Sequence, residues 1–115
     1  VVLGRGVVIG AGTVVTGDVR LGDHVLVNTG CTLSHDTALD DFATLSPGVH
    51  LAGGVRVGEG AFLGTGANVL PRVRIGARAV VGAGCVVLRD VPDHTTVAGV
   101  PGRVIQRRGA GFDER

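Results

Sequence analysis

Cys31-Thr32-Leu33-Ser34-His35-Asp36-Thr37-Ala38-Leu39 is the stretch that decides the fold. Leu33 and Leu39 stand six residues apart, and the same step continues in both directions. It passes through Leu3, Ile9, Val15, Leu21 and Val27 on one side. On the other it passes through Leu45, Leu51, Val57, Leu63, Val69, Ile75, Val81 and Val87. All fifteen positions are Leu, Ile or Val, with no insertion between them. Two residues before each inner member of the series lies a small or β-branched one, as in Thr13 before Val15 or Cys31 before Leu33. That spacing puts both side chains on one face of a strand. Gly, Asp, Asn and Pro gather in the positions that follow, where a chain must turn. Each unit is therefore a short strand and a corner. A period of six fits neither a helix nor the alternation of a hairpin sheet, and its persistence marks an all-β parallel β-helix.

At 115 residues the chain is one domain, whose core grows along an axis rather than as a sphere. The fifteen aliphatics form that core, each contributing about 1.5–3 kcal/mol when fully buried. Phe42, Phe62 and Phe112 are the only aromatics, as suits a narrow interior. No run approaches the roughly 20 apolar residues of a membrane helix, and no signal-peptide pattern is present, so a cytoplasmic protein is expected. Formal charge is +1, split into −3 over residues 1–71 and +4 over residues 72–115. Every basic residue is Arg, and no aromatic platform accompanies them, so a nucleic-acid partner is not expected. The chain has no Met and begins inside the repeat, so its first coil carries no polar cap. It therefore reads as part of a longer protein.

Several stretches go beyond the bare repeat. They are Val27-Asn28-Thr29-Gly30, Ser34-His35-Asp36, Leu45-Ser46-Pro47-Gly48, Gly58-Glu59-Gly60-Ala61-Phe62-Leu63-Gly64, and Val97-Ala98-Gly99-Val100-Pro101-Gly102-Arg103. With the repeat, they resemble the hexapeptide-repeat acyltransferases, in particular the sialic acid O-acetyltransferase and bacterial sugar-nucleotide N-acetyltransferase group. The resemblance implies a left-handed parallel β-helix of about five coils of eighteen residues over residues 1–92, with a loop and tail over 93–115. It also implies a homotrimer with sites between neighbouring prisms, acetyl-CoA as co-substrate, and a sugar or nucleotide-sugar acceptor. By the same resemblance His35 is the general base and Asp36 the acid that follows it. Gly53 offers its amide to the thioester oxygen, and Asn28, matching the asparagine of the preceding unit, is expected to bind the acceptor. Thr44 stands on the acceptor side, where some members of the family carry a second histidine. The family's usual N-terminal nucleotide-sugar-binding domain is not contained in these residues.

An eighteen-residue coil aligns corners into columns. One reads Gly17, His35, Gly53, Pro71, Arg89, and the next reads Asp18, Asp36, Gly54, Arg72, Asp90. His35 has glycine on either side of it, leaving open space for something to approach, and an acid beside it. Imidazole titrates near neutral pH and can take a proton from an attacking amine or hydroxyl. A glycine amide one coil away can donate to an oxyanion. Gly53, Gly54, Pro71, Arg72 and Arg89 line the expected acetyl-CoA side, because Arg recognises phosphates well. Arg74, Arg78, Arg103, Arg107 and Arg108 extend the same basic end. Cys31 and Cys85 share an inward column three coils apart, roughly 14 Å, beyond disulfide reach, and read as core fillers.

Two other classes compete on the same prism. A γ-type carbonic anhydrase needs histidines near multiples of eighteen residues. His24, His35 and His50 are spaced 11 and 15 apart, so no metal site is expected. A non-catalytic scaffold of the ice-binding kind wants flat threonine ladders, and the threonines form none. After Val91-Pro92 the frame is lost. Asp93-His94-Thr95-Thr96 reads as a turn, and residues 104–115 as a short final element and a frayed tail.

Overall fold

The computed structural model describes residues 1–108. Three parallel faces form a left-handed triangular prism. The first face holds β1 (Val2–Leu3), β4 (Arg20–Leu21), β7 (Ala38–Leu39), β10 (Arg56–Val57) and β13 (Arg74–Ile75). The second holds β2 (Val8–Ile9), β5 (Leu26–Val27), β8 (Thr44–Leu45), β11 (Phe62–Leu63) and β14 (Val80–Val81), followed by β16 (Thr95–Ala98) and β17 (Arg103–Arg107). The third holds β3 (Val14–Val15), β6 (Thr32–Leu33), β9 (His50–Leu51), β12 (Asn68–Val69) and β15 (Val86–Val87).

Through the five regular coils each strand pairs with the one eighteen residues on, so Thr32 aligns with His50 and Leu33 with Leu51. One member of every two-residue strand points in. Leu33, Leu45, Leu51 and Leu63 are fully buried, with Cys31, Ala43 and Val49 filling the partner column. Cys31 and Cys85 are both buried free thiols, and burial pushes both thiol pKa values up. They are core fillers, as expected. The expectation of fifteen buried aliphatics fails at the first coil. Leu3 and Ile9 are 51% and 39% exposed, because no described coil lies beneath them to close the prism.

The loss of frame after Pro92 is a shortening and not an ending. Ile75 bridges Val91 and Val80 pairs with Thr96, sixteen residues on instead of eighteen. Two carboxylates tie the shortened coil in: Asp90 Oδ1 accepts from the Arg74 N–H at 2.9 Å, where the equivalent Arg56 N–H meets a backbone carbonyl, and Asp93 Oδ1 accepts from the Ala77 N–H at 2.8 Å, as Asp23 does from Arg5 in a regular coil. Thr95 and Thr96 therefore belong to a strand, which corrects the reading of both as a turn. β17 then folds back antiparallel on β16. Phe112 and the expected frayed tail lie outside the described residues.

Stacking predicts a strong dependence on position along the axis. Leu45→Ala, in the sealed middle, should cost about 2–5 kcal/mol, whereas Leu3→Ala should cost well under half as much. Urea midpoints of the two variants check this, and equal losses would contradict the picture of a core sealed coil by coil.

Candidate active site

His35 sits at the corner between β6 and β7, where the third face turns into the first. The next residue, Asp36, has φ of 62°. Most corners of this chain use glycine at that point, and Asp is among the few other residues that enter the left-handed region with little cost. The turn brings Asp36 Oδ2 to 3.1 Å from His35 Nδ1. A carboxylate there favours the tautomer that carries its proton on Nδ1 and leaves Nε2 unprotonated. The two side chains are 71% and 67% exposed, so the pair adds little to stability in water. What it supplies is orientation, together with a charge interaction that strengthens when a bound molecule excludes water.

The neighbouring glycines have a sharper role than open space. A Cβ on Gly17 would lie 2.9 Å from His35 Cβ, and one on Gly53 would lie 2.6 Å from both Cε1 and Nε2. The imidazole thus lies across Gly53 and occupies the room above it, so the expectation of open space on both sides is corrected: the ring itself fills one side. Gly53 is not in the left-handed region, so its need for glycine comes from the ring and not from backbone strain.

Backbone bonding separates the two candidate donors. The Gly54 N–H donates to His35 O at 2.9 Å and is thereby occupied. The Gly53 carbonyl accepts from the Arg72 N–H at 2.9 Å, while the Gly53 N–H meets no protein acceptor among the described residues. An unspent donor thus stands beside the His35 ring. Pro71, next in the column, has no N–H to offer. Arg72 is also left-handed, with φ of 62°, and its side chain runs past Gly54. Arg89 lines a cavity of about 440 Å³ at the C-terminal end together with Leu88, Pro101 and Arg103. Of the other arginines, Arg108 is engaged within the fold, donating to Thr96 Oγ1 and to the Arg78 carbonyl. Arg74 lies 3.9 Å from Asp93.

A single prism does not bring Thr44 and Asn28, the residues expected on the acceptor side, to His35. Thr44 points outward from the second face between Leu26 and Phe62, and that face lies opposite the corner carrying His35. Asn28 stands at a different corner, its carbonyl accepting from Thr13 Oγ1 at 2.9 Å. Two further pairings escaped the sequence reading. His24 stacks on Phe42 with centroids 5.2 Å apart, and His50 Nδ1 lies 2.8 Å from Thr32 Oγ1. Both pairs are eighteen residues apart, which was the available signal.

Solved structures share this prism. PerB from Caulobacter crescentus, in complex with CoA and GDP-perosamine, is 44% identical with a TM-score of 0.78, over 90% of this chain and 53% of that one. The acetyltransferase domain of PglB from Neisseria gonorrhoeae is 40% identical with a TM-score of 0.74, over 90% of this chain and 54% of that one. A galactoside acetyltransferase in complex with coenzyme A is only 22% identical and shares the fold, with a TM-score of 0.88 over 92% of this chain and 64% of that one. The chain spans about half the length of the first two. The profile of the bacterial transferase hexapeptide family, six repeats long, matches residues 1–35 and 54–89. Repeat, prism and relatives agree: the chain belongs to the bacterial transferase hexapeptide family.

Proposed function

We propose that this chain carries the acetyl-transfer site of a sugar acetyltransferase, moving an acetyl group from acetyl-CoA to an amino or hydroxyl group of a sugar or nucleotide sugar. The observation that carries this is the His35–Asp36 pair lying across Gly53, whose N–H is unspent. The relatives support the chemistry, since PerB is solved with CoA and a nucleotide sugar.

The acceptor nitrogen or oxygen attacks the thioester carbonyl as His35 Nε2 takes its proton. Asp36 keeps the Nδ1 proton in place and stabilises the imidazolium. The oxyanion accepts from the Gly53 N–H, a donor that needs no reorganisation. As the carbon–sulfur bond breaks, the leaving thiolate takes the proton back from the imidazolium. No protein nucleophile is required. Arg72 and Arg89, beyond Gly53 in neighbouring corner columns, suit the pyrophosphate and 3′-phosphate of CoA.

The site is completed by copies of the chain. The second face carries exposed Val8, Leu26 and Phe62 in register, a strip that a second prism would cover. Packing it against a neighbour's His35 corner would bring Thr44 alongside that corner. Three chains of 11.6 kDa should run as a trimer of about 35 kDa. A stable monomer by light scattering at micromolar concentration would rule out a shared site.

His35→Ala should lower acetyl transfer by ~10²–10⁴ with acetyl-CoA affinity and melting temperature nearly unchanged. Asp36→Asn should cost less. Gly53→Ala should also reduce transfer, because its methyl displaces the imidazole. Full activity in His35→Ala, assayed at high acceptor concentration, would remove the base from this residue. In isothermal titration, Arg72→Ala and Arg89→Ala should weaken acetyl-CoA binding in a salt-sensitive manner, and Arg5→Ala should not. Equal effects from all three would reduce the basic end to a compositional feature.

A further inference from the structure

Every Asp, Glu and Arg of the five regular coils stands on the first face or at one of the two corners that border it. The second face presents Val8, Leu26, Thr44, Phe62 and Val80 in register. The third presents Val14, Thr32, His50, Asn68 and Val86. The corner these two faces share is built of small and neutral residues, such as Gly10-Ala11-Gly12, Ser46-Pro47-Gly48 and Gly82-Ala83-Gly84. Two of the three sides and the edge between them thus form a wedge without a formal charge. Five coils at about 4.8 Å and two sides of roughly five residues at ~3.3 Å give it on the order of 800 Å². One partner buries about that much in a stable interface.

A second copy of the chain is the occupant that fits. Thr44 lies on this wedge and does not meet His35 of its own prism. The two faces are also unlike, one bulky with exposed Leu26 and Phe62, the other polar at its centre with Thr32 and Asn68. Unlike patches on one chain pair head to tail, and such contacts close into a ring when the rotation allows it.

His50 is the one ionisable side chain that the wedge exposes among the described residues. Its Nδ1 lies 2.8 Å from Thr32 Oγ1, a neutral partner in either direction. On its other side the Asn68 amide donates to the Gly66 carbonyl at 3.1 Å. The charged groups bordering the third face, Asp18, His35, Asp36, Arg72, Arg89 and Asp90, all belong to its far corner. None of them is in hydrogen-bond or ion-pair contact with His50 among the described residues.

We propose that the wedge turns inward between copies of this chain and that His50 makes their association sensitive to pH. The proposal rests on the shared-site reading above and adds a control to it. Neutral, the imidazole is covered by a neighbour's uncharged surface. Imidazole takes a proton between pH 8 and 5, and a cation covered without a counter-charge is costly. The separated chains therefore bind more protons than the assembly, and falling pH favours separation. One proton per chain weakens association roughly tenfold per chain for each pH unit. Acid would thus withdraw the shared site by taking the copies apart, independently of the state of His35.

Light scattering at micromolar concentration should give about 35 kDa at pH 7.5, three chains of 11.6 kDa, and a single chain at pH 5.5 with an unchanged far-ultraviolet circular dichroism spectrum. His50→Gln should hold the full mass at both pH values. At pH 7.5, His50→Lys and Asn68→Lys should each run as single chains, and Arg56→Gln on the charged face should not. Wild type that stays assembled at pH 5.5, or His50→Gln that separates as wild type does, overturns the role of His50 and leaves the shared site standing. Full assembly of both Lys variants overturns the third face as a contact surface. A wild-type single chain at pH 7.5 overturns the shared site and the pH control together.

Discussion

The backbone ladder between each residue and the one eighteen positions further on is the constraint from which the rest follows. Each two-residue strand bonds only to the coils on either side of it, so an isolated coil has no partner for its amides and no cover for its core. Parallel strands this short are affordable only because every third corner repeats the register, and register in a sheet is all-or-none. A core of Leu and Val with small fillers then closes coil by coil. That is why Leu33 and Leu63 are sealed while Leu3, at the end of the stack, is half open.

The same ladder makes each outward surface a column in which like positions sit one strand spacing apart. A side chain at a corner has its nearest neighbours eighteen residues away in both directions, and their size decides what it can do. His35 lies flat because Gly53 has no Cβ to hold it off. Ala38 leaves a trough because the residues flanking it in register are arginines. In both cases the shape of the surface is set by the side chain, or its absence, in the adjacent coil.

Electrostatics at the corner depend on water. The His35–Asp36 pair is mostly exposed in a single chain, where a charge pair at hydrogen-bond distance is worth little. Covering it with substrate or with a neighbouring prism lowers the effective dielectric and strengthens both the pair and the Gly53 donor. The second face, with Leu26 and Phe62 exposed in register, presents the kind of surface that could provide such cover.

The sequence by itself determined the repeat and the inward columns, because hydrophobic periodicity is local and fifteen units carry it without interruption, while the left-handed prism followed from the resemblance to a known family. It also singled out His35, Asp36 and Gly53, since stepping by eighteen residues is enough to find their columns. The tertiary structure alone decided the rest. The sixteen-residue coil through Thr95 and Thr96 was invisible because it breaks the six-residue frame and uses the Asp90 carboxylate where the other coils use a backbone carbonyl. The flat lie of the imidazole on Gly53, the occupied Gly54 amide and the unspent Gly53 amide depend on the direction in which a side chain or N–H points. Direction at a corner is set by φ and by the adjacent coil, and residue order does not encode either one locally.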